Sequence, residues 1–74
     1  MATQVKVRSE LNAKVWKIEV ENGAAVAEGD DLLILESMKM EIPVAAPAAG
    51  CVVEILVAEE EMVSEGQVLL ILER

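Results

Sequence analysis

Along the chain, apolar and polar positions change places over short distances, and no stretch reads as a helix. Ile18 and Val20 alternate with Glu19 and Glu21, the period-2 pattern of a half-buried strand. Val53, Ile55 and Val57 repeat the same phase. Leu32 to Leu35 and Leu69 to Leu72 are continuous apolar runs of strand length, and periodicity alone does not say which of their faces turns inward. Asn22-Gly23 predicts a hairpin, because both residues tolerate a positive φ. Gly29 and Gly66, each followed by a polar residue and then an apolar run, predict tight turns feeding the next strand. Pro43 and Pro47 argue against a long helix between them. About eight short strands follow, and with them an all-β barrel or sandwich.

The pattern also repeats. At an offset of thirty-seven residues, Val15-Trp16-Lys17-Ile18-Glu19-Val20 matches Val52-Val53-Glu54-Ile55-Leu56-Val57 with three identities. Val26-Ala27-Glu28-Gly29 matches Val63-Ser64-Glu65-Gly66 with three, and Leu32 to Glu36 matches Leu69 to Glu73 with five. Two copies are too few for a solenoid, which needs three or more to bury a continuous core. They can instead interlock about a pseudo-twofold axis into one closed domain spanning residues 1–74. The same offset carries Lys39 to Ala2 in one direction and just past Arg74 in the other. The Lys39 turn and the two termini are therefore expected at opposite ends of the barrel.

Composition narrows the function. Hydrophobic residues make up 54% of the 74, enough for a small core and too few residues for an enzyme cleft of ordinary size. There is no histidine, and Cys51 is the only cysteine, so neither an internal disulfide nor a zinc site is available and no metal is expected. A single thiol points to a reducing cytoplasm. Met1-Ala2-Thr3-Gln4-Val5-Lys6 lacks the apolar core of a secretory leader, and no apolar run approaches the ~20 residues of a membrane span. A net charge of −8 argues against nucleic acid or an anionic membrane as partner. Cations crowd the first quarter, at Lys6, Arg8, Lys14 and Lys17; between Ile18 and Glu73 the only one is Lys39.

That lysine sits in Glu36-Ser37-Met38-Lys39-Met40-Glu41-Ile42, between the Leu32–Leu35 run and a second strand signal at Ile42 and Val44. The segment is thus expected at the tip of a hairpin joining the two repeats. Met38 and Met40 point away from the side taken by Lys39, and are expected to pack over the barrel end while the amine stands in solvent. Most surface lysines are only that, and a methionine pair in a hairpin is most often core filler. Three features weigh against the plain reading here: the isolation of the cation, its place at the centre of the repeat, and its bracketing by methionines. Alone they single out a residue and supply no chemistry.

Glu36-Ser37-Met38-Lys39-Met40-Glu41 resembles the attachment motif of biotinyl domains, usually Ala/Ser-Met-Lys-Met. Val26-Ala27-Glu28-Gly29-Asp30, Ala45-Ala46-Pro47-Ala48-Ala49-Gly50 and Val63-Ser64-Glu65-Gly66-Gln67 extend the resemblance over essentially the whole chain. It implies a flattened antiparallel barrel of two four-stranded sheets with pseudo-twofold symmetry, without the thumb insertion of some relatives. It also implies covalent biotin on Lys39, flanked by Met38 and Met40. A biotin protein ligase would attach it, and the chain, a monomeric carrier and no enzyme itself, would shuttle CO2 between biotin carboxylase and carboxyltransferase. Ser37 stands where alanine is commoner, and Ala13 where its repeat partner Gly50 keeps the family's glycine, so that turn is expected to differ slightly. Two other readings share the fold. A lipoyl domain typically has an aspartate before its lysine, where this chain has Met38; an unmodified assembly module lacks the Met-Lys-Met tip.

Overall fold

The computed structural model describes residues 3–74. Among them eight strands follow in order: β1 (Gln4–Arg8), β2 (Ala13–Ile18), β3 (Ala25–Val26), β4 (Asp31–Ser37), β5 (Met40–Ala45), β6 (Gly50–Ile55), β7 (Met62–Val63) and β8 (Val68–Glu73). Adding thirty-seven to the bounds of β2 and β3 gives those of β6 and β7, and β1 and β4 map onto β5 and β8 to within one residue. The strands form two four-stranded sheets, ordered β1-β8-β6-β3 and β5-β4-β2-β7, and every pairing is antiparallel. The shift that superposes the sequence repeats converts one sheet into the other.

The copies interlock because most of their pairings reach across. β1 pairs with β8, β2 with β7, β3 with β6 and β4 with β5, each joining a strand of one copy to a strand of the other. Hydrogen bonds outside the ladders obey the same symmetry: Val15 N–H donates to Glu61 O at 2.8 Å and Val52 N–H to Ala24 O at 2.8 Å, while Gly29 N–H donates to Ala46 O at 2.8 Å and Gly66 N–H to Ser9 O at 2.7 Å. Neither copy can satisfy its backbone alone, so the domain closes only when both are folded.

Six leucines form the centre. Leu32, Leu33 and Leu35 from β4 and Leu69, Leu70 and Leu72 from β8 are no more than 1% exposed, with Val15 and Val52 between them. The inward faces that periodicity left open are thus assigned, with Ile34 and Ile71 half-turned to the outside. The expectation that Val53 shares the phase of Ile55 and Val57 is corrected: Val53 is 40% exposed. A β-bulge shifts the register between Val52 and Glu54, and its counterpart between Val15 and Lys17 turns Trp16 outward in the same way.

The turns at Gly29 and Gly66 form as expected, with φ of +91° and +85°. Asn22-Gly23 forms a turn as well, but not the predicted hairpin. Ala24 N–H donates to Glu21 O at 3.0 Å and Gly23 alone has a positive φ, +90°, as a type II turn requires. The chain uses it to cross from one sheet to the other, since β3 pairs with β6 and not with β2. The Ala13–Gly50 difference also has a cause. A Cβ on Gly50 would lie 2.6 Å from the backbone oxygen of Glu73, whereas Ala13 is accommodated in the core. Gly50→Ala is accordingly expected to cost about 1–3 kcal/mol, as overpacking against backbone does, and a thermal melt of the variant measures it.

Candidate functional site

β4 and β5 are joined by two residues. Ser37 pairs with Met40, leaving Met38 and Lys39 as the whole loop, with φ of +52° and +64°. Positive φ at both central positions defines a type I′ turn, whose twist matches that of the strands it joins. Such turns usually hold Asn or Gly, and non-glycine residues in this region cost of order 1–3 kcal/mol each. The flanking ladder must hold them. It runs through six Cα pairs from Asp31–Ala45 to Ser37–Met40 and is anchored by the fully buried Leu33 and Leu35.

The turn projects past the last row of the sheet, and this corrects the expectation that the methionines pack over the barrel end. Met38 is 92% and Met40 63% exposed, so neither contributes to the core. Lys39 is exposed between them, as expected. Among the described residues both ion pairs belong to Lys14, whose Nζ lies 3.5 Å from Glu36 and 3.3 Å from Glu60. Lys39 makes no such pair.

Those two pairs frame the tip. Glu36 and Glu41 face each other across β4 and β5, a like-charge pair that unaided weakens a sheet. Lys14, opposite Glu36 on β2, supplies the compensating charge. Its pKa is raised by the hydrogen bond from its ammonium to Glu60, then by the charge of Glu60, then by that of Glu36. Lys14, Glu60 and Met62, which pairs with Lys14 on β7, were not among the residues the sequence singled out. Their proximity to the tip depends on which strands pair.

The tip is also placed far from the pair formed by Thr3 and Arg74. Thr3 and Arg74 exchange backbone hydrogen bonds of 3.0 and 2.9 Å, the symmetry counterpart of the Ser37–Met40 pair. β1 leaves that pair, and after the four residues that follow Arg8 the chain enters β2, whose Lys14 lies beside Glu36 at the tip end of the other sheet. The tip and the Thr3–Arg74 pair therefore lie at opposite ends of a molecule measuring 40 × 18 × 17 Å. Ala2, the counterpart of Lys39, lies outside the described residues.

Elsewhere the surface offers little chemistry. A groove of about 490 Å³ runs along the flank between β1 and β5, lined by Lys6, Arg8, Leu11, Leu35, Ile42 and Pro43 among others, with no histidine, cysteine or carboxylate pair. Among the described residues no cluster of three metal-ligating side chains occurs. What distinguishes Lys39 from Lys6 and Lys17, which are likewise free of ion pairs among the described residues, is its place on a two-residue turn at the end of the sandwich.

Such an arrangement defines a small all-β domain that presents a lysine at a hairpin tip, and comparison with known proteins identifies its family. The family described as "Biotin-requiring enzyme" matches residues 5–72, and the chain belongs to this biotin/lipoyl family. It is 42% identical over 64 residues to the Biotin/lipoyl attachment protein of Bacillus subtilis, covering 86% of this chain and 88% of that one. It is 39% identical over 66 residues to the Biotinylated protein TB7.3 homolog of Mycobacterium leprae, covering 89% and 93%. Among solved structures, a single-chain, multi-domain long-chain acyl-CoA carboxylase superposes with a TM-score of 0.91 at 34% identity, over 96% of this chain and 7% of that one.

Proposed function

We propose that Lys39 is the residue that carries biotin, and that the chain is a biotin carrier serving a biotin-dependent carboxylase system. The observation that carries this reading is the Met38-Lys39 turn, which holds an exposed lysine without an ionic partner among the described residues, on two left-handed backbone positions fixed by the flanking ladder. A biotin protein ligase activates biotin as its adenylate; the Lys39 nitrogen, after losing a proton to the ligase, attacks the biotin carboxyl carbon, so that the amide forms as the bond to AMP breaks and AMP leaves. The fold contributes the two-residue turn on which the exposed lysine stands. When bound, biotin takes up CO2 at a biotin carboxylase and delivers it at a carboxyltransferase. The domain contributes tethering, which raises the local concentration of the group at each partner. It catalyses neither step itself.

A monomeric, cytoplasmic carrier belongs to the same reading. The sheet edges discourage pairing with a second copy: β3 and β7 are two residues long, β5 carries Pro43, and β1 carries Lys6 at the equivalent position. Cys51 is exposed and unpaired, which suits a reducing compartment.

The test combines two measurements. Protein produced in its native cytosol should gain the mass of one biotinyl group. Given ATP and radiolabelled bicarbonate in extract from the source organism, the biotinylated form should become labelled and the unmodified form should not. A lipoyl mass increment, or biotinylated protein that stays unlabelled with every carboxylase of that extract, would refute the proposal.

A further inference from the structure

The pseudo-dyad gives every position an internal control, because what the fold needs at one end it needs at the other. Differences between equivalent residues answer to something besides folding. At the Lys39 end, Met40 and Met62 are largely exposed, Met62 at 69%; thirty-seven residues earlier their equivalents are Thr3 and Ala25. Glu60 holds a φ of +74° where its equivalent is Gly23, which adopts the same region at no steric cost. Lys14 stands where the opposite end has Cys51. The asymmetry is not a general excess of acid, since the far end carries Glu19 and Glu21 where the Lys39 end has Leu56 and Ala58.

These residues are contiguous. Glu41 pairs with Glu36, Glu36 with Lys14, and Lys14 with Met62, so the four form one row across the outer face of the sheet, one step inside the Ser37–Met40 pair. Glu60 joins the row through Lys14. The chain keeps a strained backbone and a large exposed apolar side chain here, although its own repeat shows that glycine and alanine satisfy the fold. Exposed methionine is an adaptable contact residue, and a charged rim steers an approaching partner.

Reach decides which partner. Before modification Lys39 extends only its four-carbon stem. The enzyme that modifies it must therefore bring its reactive centre down to the turn and press on whatever lies next to it. Partners that act afterwards meet a longer arm and can stand further off. Accepting the biotin reading above, we propose that Met62, with the Lys14–Glu60 pair beside it, is the docking surface on which the biotin-attaching ligase seats this chain. The ligase surface that fits is an apolar hollow edged by lysine or arginine.

The full chain carrying Met62→Ala and Glu60→Gly tests this, since both replacements are the residues the fold already uses at the equivalent positions. With the biotin protein ligase of the source organism, biotin and ATP, the KM for the double variant should rise about tenfold, as loss of a central interface side chain does. Its kcat should stay within about twofold, because the turn is untouched. Added salt should raise the parent's KM more than the variant's. Glu60→Gln, which keeps the side chain's shape, should reproduce the loss of salt dependence alone. Circular dichroism melts check that each variant folds. A folded double variant whose kcat/KM matches the parent's would overturn the docking surface while leaving Lys39 as the site. So would Ala25→Met, at the far end, if it slowed modification as much. A parent chain that takes up no biotin would overturn both readings.

Discussion

Lys39→Arg is expected to carry no biotin at all while melting within about 2 °C of the parent. Arginine keeps the charge and much of the length, so surface electrostatics and tip geometry change little, but the guanidinium offers no amine for amide formation. Either side chain sits in the left-handed region at +64° and bears the same backbone cost. Intact mass and streptavidin binding read the outcome. The other lysines are Lys6 on an edge strand, Lys14 held between Glu36 and Glu60, and Lys17 beside a bulge. Biotin appearing on any of them would move the site and end the assignment. Met38→Asp sharpens the same experiment. Met38 is almost wholly exposed, so aspartate there cannot act by loosening the core. A slower ligase reaction would report direct contact, and an unchanged rate would show that this methionine is not read.

Why the Lys39 turn was legible while its surroundings were not follows from how each signal is encoded. The repeat survives as identical residues at fixed spacing, and spacing determines topology here because each copy pairs mainly with the other. Asn22-Gly23 gave the place of a turn but neither its type nor its partner: turn chemistry is local, whereas the choice between hairpin and crossover depends on which edge is free. The true two-residue hairpin contains neither glycine nor asparagine, and its ladder imposes the conformation that the loop residues do not favour. Val53 was misphased because a bulge inserts one residue and inverts the alternation beyond it. The row from Glu41 to Met62 draws on four strands, so no window of sequence contains it. Its signal lay in the comparison of the repeats, at the positions where they differ and not where they agree.

The same symmetry fixes the energetics of the core. Leu33 and Leu70 are equivalent, both are inaccessible to solvent, and each lies on the central strand that links an edge strand to the rest of its sheet. Truncating either to alanine removes the transfer free energy of the lost groups and leaves a cavity, together about 3–4 kcal/mol. A chain of this length has roughly 4–11 kcal/mol of stability in all, so one such change consumes a large share. In a domain this small it should lower the melting temperature by roughly 15–25 °C. Because the two sites are equivalent, Leu33→Ala and Leu70→Ala should agree to within about 1 kcal/mol, a stricter demand than either value alone. Urea titration of both variants provides the comparison. If Leu70→Ala were severe and Leu33→Ala mild, the halves would not share one core, and the tip would rest on a sheet able to loosen independently. Equal losses would mean that Lys39 is presented by the whole sandwich, so that biotin uptake declines with the global unfolding of each variant.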